Sequence, residues 1–157
     1  MNVFRIVPLI KTMCKLTTSL MGVNRQQDME VFHRLDTILN EPRLAKMLNY
    51  SVFTERLTSE ERNLLYKFVE ALQAMENQYL HPVIALRARK LASEMSPLLD
   101  TIGATFSSDD GETFHFRPDQ QDPTAYDREW DMLHERIDQA WRAYKTYRQG
   151  VKDRLNV

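Results

Sequence analysis

A single cysteine, Cys14, stands in a chain of 157 residues. It excludes an internal disulfide framework and fits a reducing compartment, so a cytoplasmic location is the expectation. Glycine and proline are scarce, at four and six, which favours long helices over a sheet-rich fold. Long apolar runs are missing too. Phe4 to Ile10 is too short to span a bilayer, and Arg5, Lys11 and Lys15 break it up. No small-residue cleavage site follows it, which argues against a secretory signal. Net charge is only -1, so the molecule as a whole has no strong pull toward nucleic acid or membrane. The charge is unevenly placed, however. Residues 1–27 hold Arg5, Lys11, Lys15 and Arg25 and no acid, giving +4. Residues 107–131 hold eight acids against Arg117 and Arg128, giving -6. From Arg142 to Arg154 five bases face one acid, again +4.

What the chain does have is apolar side chains at alternating three- and four-residue spacing. Ile6, Leu9, Met13, Leu16 and Leu20 form the first such stripe, and Val31, Phe32, Leu35, Ile38 and Leu39 a second. Leu65, Phe68, Leu72, Met75 and Tyr79 form a third, and Ile84, Ala88, Leu91, Met95, Leu98 and Ile102 a fourth. Tyr126, Trp130, Leu133, Ile137, Trp141 and Tyr144 complete the set. Each stripe lies along one side of a helix and needs burial against other helices. The fold class is therefore all-α in the main: a four- to five-helix bundle in one domain, 1–157.

Helix-end chemistry sets the expected boundaries. The first, amphipathic helix occupies residues 1–22, with Pro8 in its first turn and Gly22 ending it. Asn24 and Gln27 resemble a capping box for a second helix over about 25–40, and Pro42 starts a short one through Leu48. Thr58 and Glu61 are the clearest capping box, opening the next helix at about 59. His81–Pro82 interrupts the pattern before a helix from Pro82 to Ile102, with a kink or restart at Ser96–Pro97 and Gly103 at its end. Residues 104–117 leave the helical period. Ala104-Thr105-Phe106 and Thr113-Phe114-His115-Phe116 flank an Asp-Asp-Gly turn and read as a small β-hairpin with Gly111 at positive φ. Phe106, Phe114 and Phe116 face the bundle and His115 faces out. A long C-terminal helix follows over 123–150, capped by Asp122.

Chemistry-bearing arrangements are few. Glu30-x-x-His33 and Asp131-x-x-His134 have the spacing of di-iron bundles, with Glu70 and Glu94 as the nearest further carboxylates. At about 100° per residue Glu30 and His33 lie roughly 140–160° from their apolar face and Glu70 about 180° from its own, so no metal site is expected. The acids Asp109, Asp110, Glu112, Asp119 and Asp122 do not follow the EF-hand spacing. Neither a Ser/His/Asp set, a phosphate loop nor paired cysteines are present, and no cofactor is expected. Arg128 and His134 stand near the start of a late helix, five residues between them. The pair resembles the Arg-x(4–6)-His element of the HEPN ribonucleases, small helical bundles that often dimerise. That resemblance implies RNA cleavage, with His134 activating a ribose hydroxyl and Arg128 steadying phosphate charge. Glu129 departs from the neutral polar residue common there, and Arg128 lies about 120° round the helix from His134. Arg142, Lys145, Arg148 and Lys152, interleaved with aromatics, form a nucleic-acid candidate. The same pattern also reads as core aromatics with bases at the negative end of a helix.

The leading expectation is a non-enzymatic helical interaction protein that associates with another chain, including itself. Phe4, Ile6, Leu9, Met13, Leu16 and Leu20 are its contact residues, since four further helices can close a bundle without them. The alternatives are the HEPN-like nuclease, and a basic amphipathic helix lying on an anionic membrane.

Overall fold

A computed structural model describes residues 6–118, 122 and 124–157, the side chains of 6–21 and 50–54 excepted. The chain is a mainly helical bundle with a small antiparallel sheet, the class that the periodicity predicts. Helix α1 spans Ile6–Ile38 and α2 Glu41–Thr54; strand β1 is Arg56–Thr58, and α3 is Ser59–Gln73. A 3-10 turn, Met75–Asn77, leads to α4, Pro82–Thr105; strands β2, Phe106–Ser107, and β3, Thr113–Phe116, precede α5, Ala125–Leu155.

Several ends differ from the sequence expectation, each for a local reason. Gly22 does not end a helix: α1 runs unbroken through it, and Gly111 is the glycine with positive φ. A helical glycine costs about 1 kcal/mol relative to alanine, less than giving up the backbone bonds of a continuous turn. Pro42 does start α2, seated in the first turn after Asn40, whose side chain accepts from the Arg43 N–H. That helix continues past Leu48 to Thr54 and ends at Glu55 in the left-handed region, φ 52°. Pro97 and Gly103 both lie inside α4, and Gly150 inside α5. A Cβ on Gly150 would fall 2.7 Å from the Arg87 side chain, so this glycine admits a guanidinium across the helix. Asp122 accepts from Thr124 N–H and hydroxyl in a turn just before α5, rather than capping the helix directly. The Thr58–Glu61 capping box is complete, with both reciprocal bonds formed.

The hairpin is present and carries a third strand. In the order β1-β3-β2, Leu57 pairs with Phe114 and Phe106 with Phe116, all antiparallel. A two-stranded hairpin is marginal in water. Here Leu57, Phe106 and Phe116 are buried, and Phe116 meets Trp130 and Tyr126 of α5 edge-on at 5.2 and 5.3 Å. Phe114 is half-buried under the Arg62 guanidinium, and His115 is exposed, as the alternation predicts. Glu55 joins the pieces: its carbonyl accepts from Phe116 N–H, and its carboxylate from the Tyr126 hydroxyl.

The core lies between α4 and α5, where Ile84, Leu91, Met95 and Leu98 pack with Leu133, Tyr144, Tyr147 and Val151. The C-terminal part of α1 adds Val31, Phe32 and Leu35, and α3 adds Leu65, Phe68 and Leu72. Met75 leaves its stripe altogether, at 85% exposed, because α3 has ended and the 3-10 turn redirects the chain. Tyr79, beyond that turn, is buried and shares a hydrogen bond between hydroxyls with Tyr147.

Two α1 side chains hold this connection between α3 and α4. The buried Asp28 carboxylate accepts from the backbone N–H of Leu80 at 2.6 Å and of His81 at 3.0 Å. Two turns on, Arg34 donates to Asn77 Oδ1 at 3.0 Å and to the Glu76 carbonyl at 2.8 Å. His81 in turn caps α4, its Nδ1 accepting from Val83 N–H. Hydrogen bonds to a charged acceptor are worth about 1.5–3 kcal/mol, and a lost acceptor leaves donors unpaired. Asp28→Ala is therefore expected to destabilise the bundle by roughly 2–3 kcal/mol, with Asp28→Asn intermediate. Urea unfolding followed by circular dichroism measures this; an unchanged midpoint contradicts the assignment.

Candidate interaction surface

The candidate surface lies on α1 upstream of Asp28. From Asp28 onward the helix is bound on one side. Val31, Leu35 and Leu39 are in the core, and Arg148 of α5 pairs with Asp36, reaches within 3.5 Å of Glu41, and lies over the Phe32 ring. Upstream, Gly22 to Gln27 are all exposed. Six consecutive helical residues cover every side of the axis at about 100° each, so none of this stretch is buried in the core. The body is touched here by Arg25, whose guanidinium donates to the Leu155 carbonyl at the end of α5 at 2.7 Å.

The apolar stripe runs through the same helix. Ile6, Leu9, Met13, Leu16 and Leu20 all belong to α1, and their side chains lie outside the described set. Phe4 lies outside the described residues altogether. Val23 continues the spacing three residues after Leu20, and it is 60% exposed. Beside it is a groove of about 440 Å³ walled by Val23, Gln26, Gln27, Glu30, Arg34 and Glu76.

The other candidates do not gather. Arg128 is exposed and paired with Asp122 at 3.1 Å and Glu129 at 3.6 Å. His134 sets its ring against the Trp130 edge, 4.5 Å between centroids. Arg142 pairs with Asp138, and Lys145 lies over the Trp141 ring. Lys152 is exposed. Arg148 is the departure from the basic-face expectation: its charge is matched inside the fold by Asp36 and Glu41, so it is not presented to a phosphate backbone. His33 and Glu30 are exposed, and no group of three metal-ligating side chains occurs among the described residues. No helix among them is long and apolar enough to cross a membrane.

Two further grooves are open. One of about 520 Å³ lies between the α3–α4 connection and α4, lined by Asn77, Tyr79, Arg89 and a row of alanines, Ala85, Ala88 and Ala92. The other, about 330 Å³, lies between α4 and α5, with Arg87, Lys90, Arg142 and Glu94. Several of their polar groups are engaged: Arg87 donates to the Thr146 carbonyl, Lys90 to Glu94, and Asn77 to the Ala71 carbonyl.

Sequence reading missed the polar members of this region. Asp28, Arg34 and Arg148 are charged residues on helices, and helical spacing alone does not tell an inward charge from a solvated one. The one available signal was position. Asp28 falls on the side carrying Val31 and Leu35, and Asp36 beside Phe32, where a charge needs a partner.

No protein-family model, curated protein or solved structure matches this chain.

The tyrosines give the core a pH signature. Burial pushes the Tyr79, Tyr144 and Tyr147 hydroxyls well above the ordinary phenol value. Tyr126 is pushed up to about 12, chiefly by its hydrogen bond to the Glu55 carboxylate. A group with a raised folded pKa holds its proton in the folded state after the unfolded chain has lost it. Stability is thus full below the unfolded value near 10 and falls as pH climbs above it. Tyrosinate absorbance from the three buried hydroxyls should appear together with loss of helicity, rather than before it. Their ionisation in a still-helical protein near pH 10 would contradict the packing described.

Proposed function

We propose that this chain is a non-enzymatic interaction protein that binds another protein chain, a second copy foremost, through the N-terminal half of α1. The exposure of Gly22 to Gln27 within an unbroken helix carries the reading. A helix with an exposed stretch next to a regular apolar seam is suited to bury that seam against another chain. Intrinsic propensity supports this segment poorly. Thr12, Thr17, Thr18 and Gly22 are weak helix formers, and isolated helices are marginal in water without a packed face. A cytoplasmic setting belongs to the same proposal, supported by the lone cysteine.

Light scattering tests it. The wild-type mass should rise with concentration toward twice the chain mass. Leu9→Glu with Leu16→Glu places two carboxylates per chain in the seam and forfeits about 2 kcal/mol or more at each leucine. Association should weaken at least about a hundredfold, while the urea midpoint of the bundle stays nearly constant. A wild type that stays monomeric at high micromolar concentration counts against self-association, and a double variant that associates as before removes the seam from the account.

A further inference from the structure

We infer that the groove between the α3–α4 connection and α4 is a binding site for a small apolar molecule ending in a single carboxylate, with Arg89 as its anchor. The inference is independent of what α1 binds.

The groove follows from how α3 ends. Its last residue is Gln73, and extended backbone at Ala74 sends the chain into the 3-10 turn instead of along another helical turn. Across from this connection α4 presents Ala85, Ala88 and Ala92. Alanine side chains end at Cβ, so a space of about 520 Å³ stays open between the two walls. Small-molecule sites run from about 300 to 1,000 Å³. The connection is also held in place. Asn77 accepts from Arg34 and donates to the Ala71 carbonyl, the Tyr79 hydroxyl shares a hydrogen bond with Tyr147, and Asp28 holds Leu80 and His81. A groove formed in advance costs a ligand little ordering.

Burial divides the lining by chemistry. Leu72, Tyr79, Ala88 and Ala92 are buried and make a largely apolar floor. Gln73, Gln78, Arg89 and Ser93 are exposed around it. The Gln73 and Gln78 side-chain amides have no hydrogen-bond partner among the described residues.

Arg89 sets the class of ligand. At about 100° per residue it lies about 40° from Ala85 and about 60° from Ala92, on the face of α4 that carries the alanines. Its Nε donates to the Ala85 carbonyl at 3.4 Å, which turns the guanidinium back along the groove. No carboxylate of the described residues pairs with it, and no acid lines the groove. The lining thus carries one positive charge and no negative one. A carboxylate matches that charge singly and accepts two guanidinium N–H groups side by side. A phosphate monoester would bring about −1.5 to −2 against a single base. The α4–α5 groove differs on this point, because Lys90 there pairs with Glu94 and Arg142 with Asp138.

Isothermal titration of the full-length protein with 2-naphthoate tests the assignment. The wild type should bind a single molecule per chain. Arg89→Gln should weaken 2-naphthoate by about tenfold or more. It should leave the uncharged 2-naphthylmethanol nearly unaffected, since only the carboxylate uses the guanidinium. Ala85→Leu fills the groove from a half-buried position and should abolish binding of both compounds. Arg89 is exposed, so the urea midpoint of Arg89→Gln should match the wild type and its titration reads binding alone. A wild type that takes up no 2-naphthoate at millimolar concentration overturns the proposal, as does Arg89→Gln binding it unchanged. Undiminished binding to Ala85→Leu places the ligand outside the groove and overturns it equally.

Discussion

Both oxygens of the buried Asp28 carboxylate are held by backbone N–H groups of the turn before α4, and the placement of every other part of α1 follows from this. A helix is stiff, with each residue's azimuth set by its neighbours. Fixing Asp28 against Leu80 and His81 places Val31 and Leu35 in the core, sets Arg34 on Asn77, and brings Asp36 to Arg148. It also decides where α1 stops belonging to the bundle. One turn upstream of Asp28 the residues Gly22 to Gln27 are exposed, with Arg25 still donating to the Leu155 carbonyl, and the apolar series that begins at Ile6 reaches Val23.

The rest of the fold completes the body to which this helix is fastened. The α4–α5 pair supplies most of the buried apolar surface, and apolar burial is the main favourable term in folding. The small sheet is stable as a lid because Phe106 and Phe116 join the aromatic group of Tyr126 and Trp130. Polar groups within this body are largely matched to one another: Tyr79 with Tyr147, Arg87 with the Thr146 carbonyl, Tyr126 with Glu55. Among the described residues of α1, Val23 is an apolar side chain left exposed.

Periodicity made the helical class, the Thr58–Glu61 start and the turn at Gly111 legible, because each rests on interactions between near neighbours in sequence. The unbroken helix through Gly22 was not legible: Gly22, Asn24 and Gln27 spell a plausible stop and restart, and nothing local shows that continuing is cheaper. Strand β1 was hidden because Arg56-Leu57-Thr58 is three residues long and becomes a strand only beside β3. Arg148 read as part of a basic face because its partners, Asp36 and Glu41, are more than a hundred residues away. For the interaction surface, sequence supplied the seam at Ile6, Leu9, Met13, Leu16 and Leu20. The exposure of Val23, three residues beyond Leu20, came from the structure.

Under the proposed association α1 has two regimes, held by its own bundle beyond Asp28 and by a second chain before Val23. Amide hydrogen exchange measured across a dilution series tests this most directly. Residues 31–39 should be protected equally at every concentration, while protection of residues 9–20 should fall away as the protein is diluted. Strong, concentration-independent protection of residues 9–20 in a dilute monomer would contradict it.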